Sequence, residues 1–367
     1  MRLTLIISSL SSGGAERVMS VMANYWAKKG WQVTLLTFDD GHTAPFYPLD
    51  SRVSHLSLAL AGDSSNSLTA TGRNLARVRR LRSAIRRSRP DCVLSFMDQV
   101  NVLTLLATEG LRTPVIVVEQ SWPPSQQLGR AWNQLRNWTY PRAFRVVGVT
   151  KSVLSHFSTR IQSRSCVIPN PVLSPTLVPD SSSQKLLDHP ALLAIGRLDR
   201  NKGHDLLLKA FAGLNGRHSN WSLTILGEGP LREELESMCR RLKIEERVKL
   251  PGRVSDTSRF LREASIFVMA SRSEGFPMAL GEAMACGLPV IATNCPSGPA
   301  EMISDGVNGI LVPSENVDAL SSALDRLMTD AELRRALSLR AREVTERFGL
   351  DSIMQTWEAL IEQAARA

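Results

Sequence analysis

No apolar run in the 367 residues approaches the roughly 18 that a membrane-spanning helix needs. No Cys-x-x-Cys occurs. The five cysteines (Cys92, Cys166, Cys239, Cys286 and Cys295) are scattered, mostly among apolar neighbours, which speaks against a zinc site or a disulfide framework and for reduced thiols in a cytosolic protein. No Asp-x-Asp occurs either. The first turn of the chain, MRLTLIISSLSSGGAERV, has too short an apolar run for a signal peptide and runs straight into Gly13-Gly14; it reads as a first strand and a turn. Disorder is excluded by a composition of 43% hydrophobic and 22% charged residues, and the length predicts two domains.

What is there is unevenly distributed. Residues 1–180 carry 21 Lys+Arg against 10 Asp+Glu, whereas residues 181–367 carry 23 against 25, so the net charge of +9 resides in the first half. Five of the seven tryptophans (Trp26, Trp31, Trp122, Trp132, Trp138) lie there too, which points to different partners for the two halves. Along the chain, apolar runs such as RLTLIISS, WQVTLLTF, DCVLSFM and TPVIVVEQ alternate with segments of helical spacing. After PNPVLSPTLVPDSSSQKLLDHP the pattern restarts with ALLAIGRL, WSLTILGEG, RVKLPG, SIFVMAS, PVIAT and GILVP. Alternation of this kind predicts an α/β protein of two doubly wound, Rossmann-like domains facing across a cleft. Their expected limits are 1–172, a linker over 173–190, 191–345, and a closing helix over 346–367 that is free to cross back to the first domain.

The stretch SRSEGFPMALGEAMACGLPVIAT (271–293) sets Glu274 and Glu282 eight residues apart, with a helix predicted to start near Pro277 and end at Gly287. Backbone amides of Phe276, Met278 and Ala279 at that helix start would attract an anion. Flanking carboxylates accept hydrogen bonds from vicinal hydroxyls, so the pattern suits a diphosphate with a sugar on each side. A capping glutamate and a solvated helix glutamate would give the same spacing. AIGRLDRNKG adds Arg197 and Lys202 as cations for a departing diphosphate, and Gly227-Glu228-Gly229 allows close approach of a ligand to another strand end.

Taken together, GRLDRNKG (196–203), LPGRVSD (250–256) and EGFPMALGEAMACGLPVIAT (274–293) resemble glycosyltransferase family 4, retaining nucleotide-sugar transferases of the GT-B fold. The resemblance implies that Glu274 binds hydroxyls of the transferred sugar, Glu282 the ribose, and Arg197 and Lys202 the diphosphate. It places Arg253 and Val254 beside the base, and the backbone from Phe276 through Pro277, Met278 and Ala279 against sugar and phosphate. It implies bond formation on the face the nucleoside diphosphate leaves, with a phosphate oxygen as the base. Arg, Lys and a helix terminus would do the work of a bridging metal, so neither metal nor cofactor is expected. In the first half, SSGGAE resembles the family loop near donor phosphate and acceptor, which brings in Gly14 and Glu16. SFMDQVNV and VVEQSWPP, with Asp98 and Glu119, are similar to acceptor-side stretches of relatives that build lipid-linked oligosaccharides, although Gln120 stands where an Arg is expected.

Residues 71–91 hold eight arginines and no acid before Asp91. Leu75, Val78, Leu81 and Ile85 form a helical apolar stripe, and a basic helix over Arg73–Arg89 is expected to meet an anionic membrane surface. A second stretch, WPPSQQLGRAWNQLRNWTYPR, mixes Trp and Arg as an interface does. No motif that reads nucleic acid accompanies either run. The expectation is therefore a transferase moving a hexose or N-acetylhexosamine from a UDP-sugar to an undecaprenyl-diphosphate-linked saccharide, peripheral on the cytoplasmic face of the inner membrane. Its rivals are a transferase on a soluble acceptor, a nucleotide-sugar epimerase, a nicotinamide-dependent oxidoreductase and a silent assembly scaffold.

Overall fold

The computed structural model describes residues 1–60, 67–125, 128–173, 185–188 and 190–367, and for 67–73 the backbone alone. The predicted linker, 173–190, lies mostly outside the described residues. Contacts divide the chain into two units, one of Met1–Asn170 with Ile353–Ala367 and one of Pro171–Ser352.

The first unit is a parallel sheet of β1 (Arg2–Ile7), β2 (Gln32–Thr37), β3 (Ser54–Ser57), β4 (Cys92–Phe96), β5 (Val115–Glu119), β6 (Arg145–Gly148) and β7 (Ser165–Val167), in the order β3-β2-β1-β4-β5-β6-β7. Central strands read as unbroken apolar runs because helices cover both faces; β4 and β5 are buried at every residue. Register pairs Leu5 with Leu35 on one side and Leu94 on the other. The helices are α1 (Gly14–Lys28), α2 (Ser67–Ser88), α3 (Asp98–Thr108), α4 (Arg130–Thr139), α5 (Lys151–Ser155) and α6 (Thr159–Gln162). Trp26 of α1 is fully buried and stacked on the half-buried Trp31 at 5.6 Å, so Trp26 belongs to the core rather than to a partner surface. Strand β3 was not visible in the sequence: SHLS alternates exposed and half-buried positions at a sheet edge, without an apolar run to announce it.

The second unit repeats the plan with β8 (Ala191–Ile195), β9 (Ser222–Leu226), β10 (Val248–Gly252), β11 (Ile266–Met269), β12 (Val290–Asn294) and β13 (Ile310–Pro313), ordered β10-β9-β8-β11-β12-β13 and again all parallel. Its helices are α7 (His204–Ala212), α8 (Arg232–Leu242), α9 (Ser258–Glu263), α10 (Met278–Ala285), α11 (Pro299–Met302), α12 (Val317–Thr329), α13 (Ala331–Ala341) and α14 (Val344–Phe348), and the chain closes with α15 (Leu350–Ala365). Leu192, Ile225, Val268 and Ile291 from the sheet pack with Leu207, Phe211 and Leu324 from the helices. The helical spacing that runs on from residue 316 is broken at Asp330, which ends α12 and caps α13, its side chain accepting from the Leu333 amide at 2.9 Å. Most of α15 belongs to the first unit, where Glu358 accepts from Lys29 Nζ at 2.6 Å and Trp357 and Ile361 are buried. Among the described residues, no helix is long and apolar enough to cross a membrane.

Candidate active site

In a doubly wound sheet, ligands bind beyond the carboxyl ends of the strands, where the strand order reverses. In the second unit that point lies between β8 and β11. Arg197 and Lys202 follow β8, and Glu274 follows β11, so the sequence sends two cations and a carboxylate to the switch point from opposite sides. The pair meets there: Lys202 Nζ donates to Glu274 Oε1 at 2.7 Å, and Ser271 Oγ donates to the same oxygen at 2.7 Å. The Glu274 side chain is only 9% exposed and that of Lys202 29%. Burial works against the Lys202 ammonium, yet the Glu274 carboxylate and Asp199 hold its pKa above the usual lysine range, and it stays charged. Arg197 is 69% exposed, with Asp199 Oδ2 at 3.8 Å, and its guanidinium is free to reorient toward an anion.

Local chemistry fixes the Lys202 turn. Asp199 caps it, its side chain accepting from the Lys202 amide at 3.2 Å. Gly203 closes it at φ +64, and any Cβ there would run into the Ala270 carbonyl oxygen, so the turn is pressed against the strand end that leads to Ser271 and Glu274. Arg272, two residues before Glu274, is bonded to Asp205 and to the Arg200 carbonyl of the same turn. Sequence reasoning passed over Ser271, Arg272 and Asp205. Arg272 and Ser271 stand inside the quoted SRSEG stretch, but only the fold shows that they face the turn after β8.

On the other side of Glu274 the loop leads into α10. The helix starts at Met278, one residue later than predicted, with Pro277 as its N-cap. First-turn amides of an α-helix have no intrahelical acceptor, so this start presents donors and a positive dipole end. Phe276 is buried edge-on against Phe348 at 5.4 Å, and Ser297 Oγ donates to the Gly275 carbonyl at 3.0 Å, which fixes the approach to the helix. Glu282 sits on α10, but it is buried rather than solvated. Burial, with Glu282 adding to it, pushes the neighbouring Cys286 thiol up to about 11. Arg253 is exposed and Val254 half-buried just beyond β10. At the end of β9, Gly227 has φ +149 and passes so close to the Gly196 carbonyl that no side chain fits.

In the first unit, reversal falls between β1 and β4. Gly14 is exposed at the start of α1. Glu16, however, curls back over Gly13, held by Ser11 Oγ at 3.2 Å, so its carboxylate covers the helix start that was expected to receive a phosphate. Burial raises the pKa of this carboxyl. Asp98 opens α3, its Oδ1 accepting from the Gln99 amide at 2.7 Å, directly after Met97 at φ +76, a strained value for a side-chain-bearing residue. Glu119 ends β5 but turns inward: it is 4% exposed and accepts from the buried Tyr140 hydroxyl, which also accepts from Asn101 Nδ2 at 3.1 Å. Burial pushes Glu119 up to about 7. Its expected contact with substrate finds no exposed carboxylate.

Helix α2 buries Leu81, Ala84 and Ile85. Leu75, expected in the buried stripe, is instead 50% exposed. Arg82 donates to the Ala107 and Glu109 carbonyls at 2.9 and 2.7 Å, closing the end of α3, whereas Arg79, Arg80, Arg86 and Arg87 are exposed. Arg73 lies among residues described by backbone alone. On α4, Trp138 is half-exposed with Arg142 stacked 3.6 Å over its ring.

Residues 180–344 match the family described as glycosyl transferases group 1, and residues 13–171 match the glycosyl transferase 4-like domain. A Campylobacter jejuni alpha-1,4-N-acetyl-D-galactosaminyltransferase acting on GalNAc-alpha-(1->4)-GalNAc-alpha-(1->3)-diNAcBac-PP-undecaprenol is 30% identical over 100% of both chains. The amylovoran biosynthesis glycosyltransferase AmsD of Erwinia amylovora is 26% identical, over 98% of this chain and 99% of that one. Among solved structures, a sucrose-phosphate synthase from Thermosynechococcus elongatus superposes with a TM-score of 0.85 at 20% identity, covering 98% of each chain. Anabaena HepE in complex with UDP and glucose gives 0.81 at 19% identity, covering 99% of each. Matched in both halves by these family descriptions and along its whole length by a relative, the chain belongs to glycosyltransferase family 4 and is a glycosyltransferase of the GT-B fold.

Proposed function

We propose that this glycosyltransferase moves a hexose or N-acetylhexosamine from a UDP-sugar to an undecaprenyl-diphosphate-linked saccharide, with retention at the anomeric carbon. The observation that carries the reading is the buried Lys202–Glu274 pair at the switch point of the second sheet, beside the amide-bearing start of α10. A diphosphate needs cations and amides that are already in place, because such donors stabilise the charge that develops as the bond to the sugar breaks. Lys202, Arg197 and the α10 start supply them. Glu274 accepts from hydroxyls of the transferred sugar, Glu282 serves the ribose side, and Arg253 and Val254 flank the base. The acceptor hydroxyl enters on the face that the diphosphate leaves and gives its proton to a phosphate oxygen. No metal or cofactor is part of the scheme.

The lipid-linked acceptor is supported by what the Campylobacter relative is named for and by the basic first half. Exposed arginines of α2, with Trp138 on α4 and Arg142 just after it, suit an anionic bilayer surface, which for this acceptor is the cytoplasmic face of the inner membrane. Family membership removes the epimerase, oxidoreductase and scaffold readings. The test is a thermal-shift screen of UDP- and GDP-sugars, followed by transfer assays with the stabilising donor on undecaprenyl-diphosphate saccharides and on the same saccharides free in solution. Stabilisation by a UDP-sugar and transfer to the lipid-linked form are expected. Transfer to the free saccharides alone would overturn the acceptor, and stabilisation by GDP-sugars alone the donor.

A further inference from the structure

Arg272 is not among the residues assigned to the donor, yet nearly every donor it owns is committed. Its Nη1 and Nη2 form a fork on Asp205 at 2.8 and 2.9 Å, Nη1 also donates to the Arg200 carbonyl at 2.7 Å, and Nε donates to Glu315 at 2.8 Å. Its backbone amide donates to the Asn201 carbonyl at 2.7 Å. The side chain is 17% exposed. Three segments therefore converge on one guanidinium: the loop carrying Glu274, the turn carrying Lys202 with the first turn of α7, and the turn between β13 and α12, where Glu315 sits at φ +59. With its fork engaged on Asp205, Arg272 has little left to offer a ligand directly.

We infer that Arg272, through its fork on Asp205, is a positioning residue for the donor diphosphate: it clamps the Arg200–Lys202 turn to the Glu274 loop and so fixes where the Lys202 ammonium stands. The inference rests on the donor-site reading above. A planar fork meeting a carboxylate at two points fixes orientation as well as distance, and lysine, a single point charge, cannot do the same. Charge is thus insufficient, and the conservative substitution is the informative one.

UDP and GDP are titrated calorimetrically into the wild-type protein, and the one that binds more tightly is then titrated into Arg272→Lys, Asp205→Asn, Lys202→Gln and the Arg272→Lys/Lys202→Gln double variant, with melting temperatures recorded alongside. Arg272→Lys and Asp205→Asn should each weaken binding about tenfold, and the double variant should bind within about threefold of Lys202→Gln, because a residue acting through Lys202 has nothing left to act on once Lys202 is gone. Asp205→Asn breaks the same fork from its other side and stands in should Arg272→Lys not fold. Wild-type affinity in Arg272→Lys, or losses that multiply in the double variant, would overturn the inference while leaving the donor site in place. A wild-type protein that binds neither nucleotide would overturn the donor site itself.

Discussion

Lys202 and Glu274 are 72 residues apart in sequence and 2.7 Å apart in space. The sequence proposes both for a donor site but not their contact, since no local pattern says that the turn after β8 abuts the loop after β11. Gly203 makes that abutment possible. Gly203→Ala should cost about 1–3 kcal/mol through its φ of +64 and the collision with the Ala270 carbonyl, read as a lower denaturant midpoint at unchanged slope. Glu119 shows the opposite error of reading. Its place at a strand end looked like an acceptor contact, whereas the chain folds Tyr140 and Asn101 over it, and neither residue is near it in sequence. Burial keeps this carboxyl protonated up to about pH 7, against a reference near 4.5. Stability from it is present in full below the unfolded pKa and is lost as pH rises through about 7, because the unfolded chain releases the proton first. Glu119→Gln should therefore flatten the fall in melting temperature between about pH 5 and 7; a variant that tracks the wild-type curve would show that this group does not titrate in the fold.

At the scale of elements, most strands were readable because both faces of a parallel sheet are covered and their residues form apolar runs. What failed was local and has a physical cause: β3 is a short edge strand with half its residues exposed, and Asp330 interrupts an otherwise continuous helical pattern by offering its side chain to the Leu333 amide. Helix α2 was readable as amphipathic but its faces were not assigned correctly. Arg82 is spent on the end of α3, and Leu75 is exposed. Arg79 and Arg86, like Arg80 and Arg87, are seven residues apart and so stand about 20° from alignment along one face. Replacing these four arginines by serine should lower binding to vesicles containing anionic lipid by a hundredfold or more at low salt, measured by co-sedimentation, without changing the melting temperature beyond a few degrees. Unchanged sedimentation would remove α2 from the membrane surface.

For the whole molecule, the lesson lies in repetition with a difference. Both units are doubly wound parallel sheets with one reversal of strand order, between β1 and β4 in the first and between β8 and β11 in the second. The expected helix-start anion sites fare differently in the two. In the first unit the start of α1 is covered by the carboxylate of Glu16. In the second, the start of α10 stands beside a charged lysine and a buried glutamate. That contrast supports the proposed placing of the nucleotide-sugar in the second unit and of the acceptor in the basic first half. The claim is tested most directly by transfer of labelled sugar from the UDP-sugar donor to an undecaprenyl-diphosphate saccharide, in the wild-type protein and in Glu274→Gln. The account predicts a loss of about 10²–10³-fold in kcat for Glu274→Gln, with the melting temperature within a few degrees of the wild type. Turnover within threefold of the wild type in that variant would contradict it.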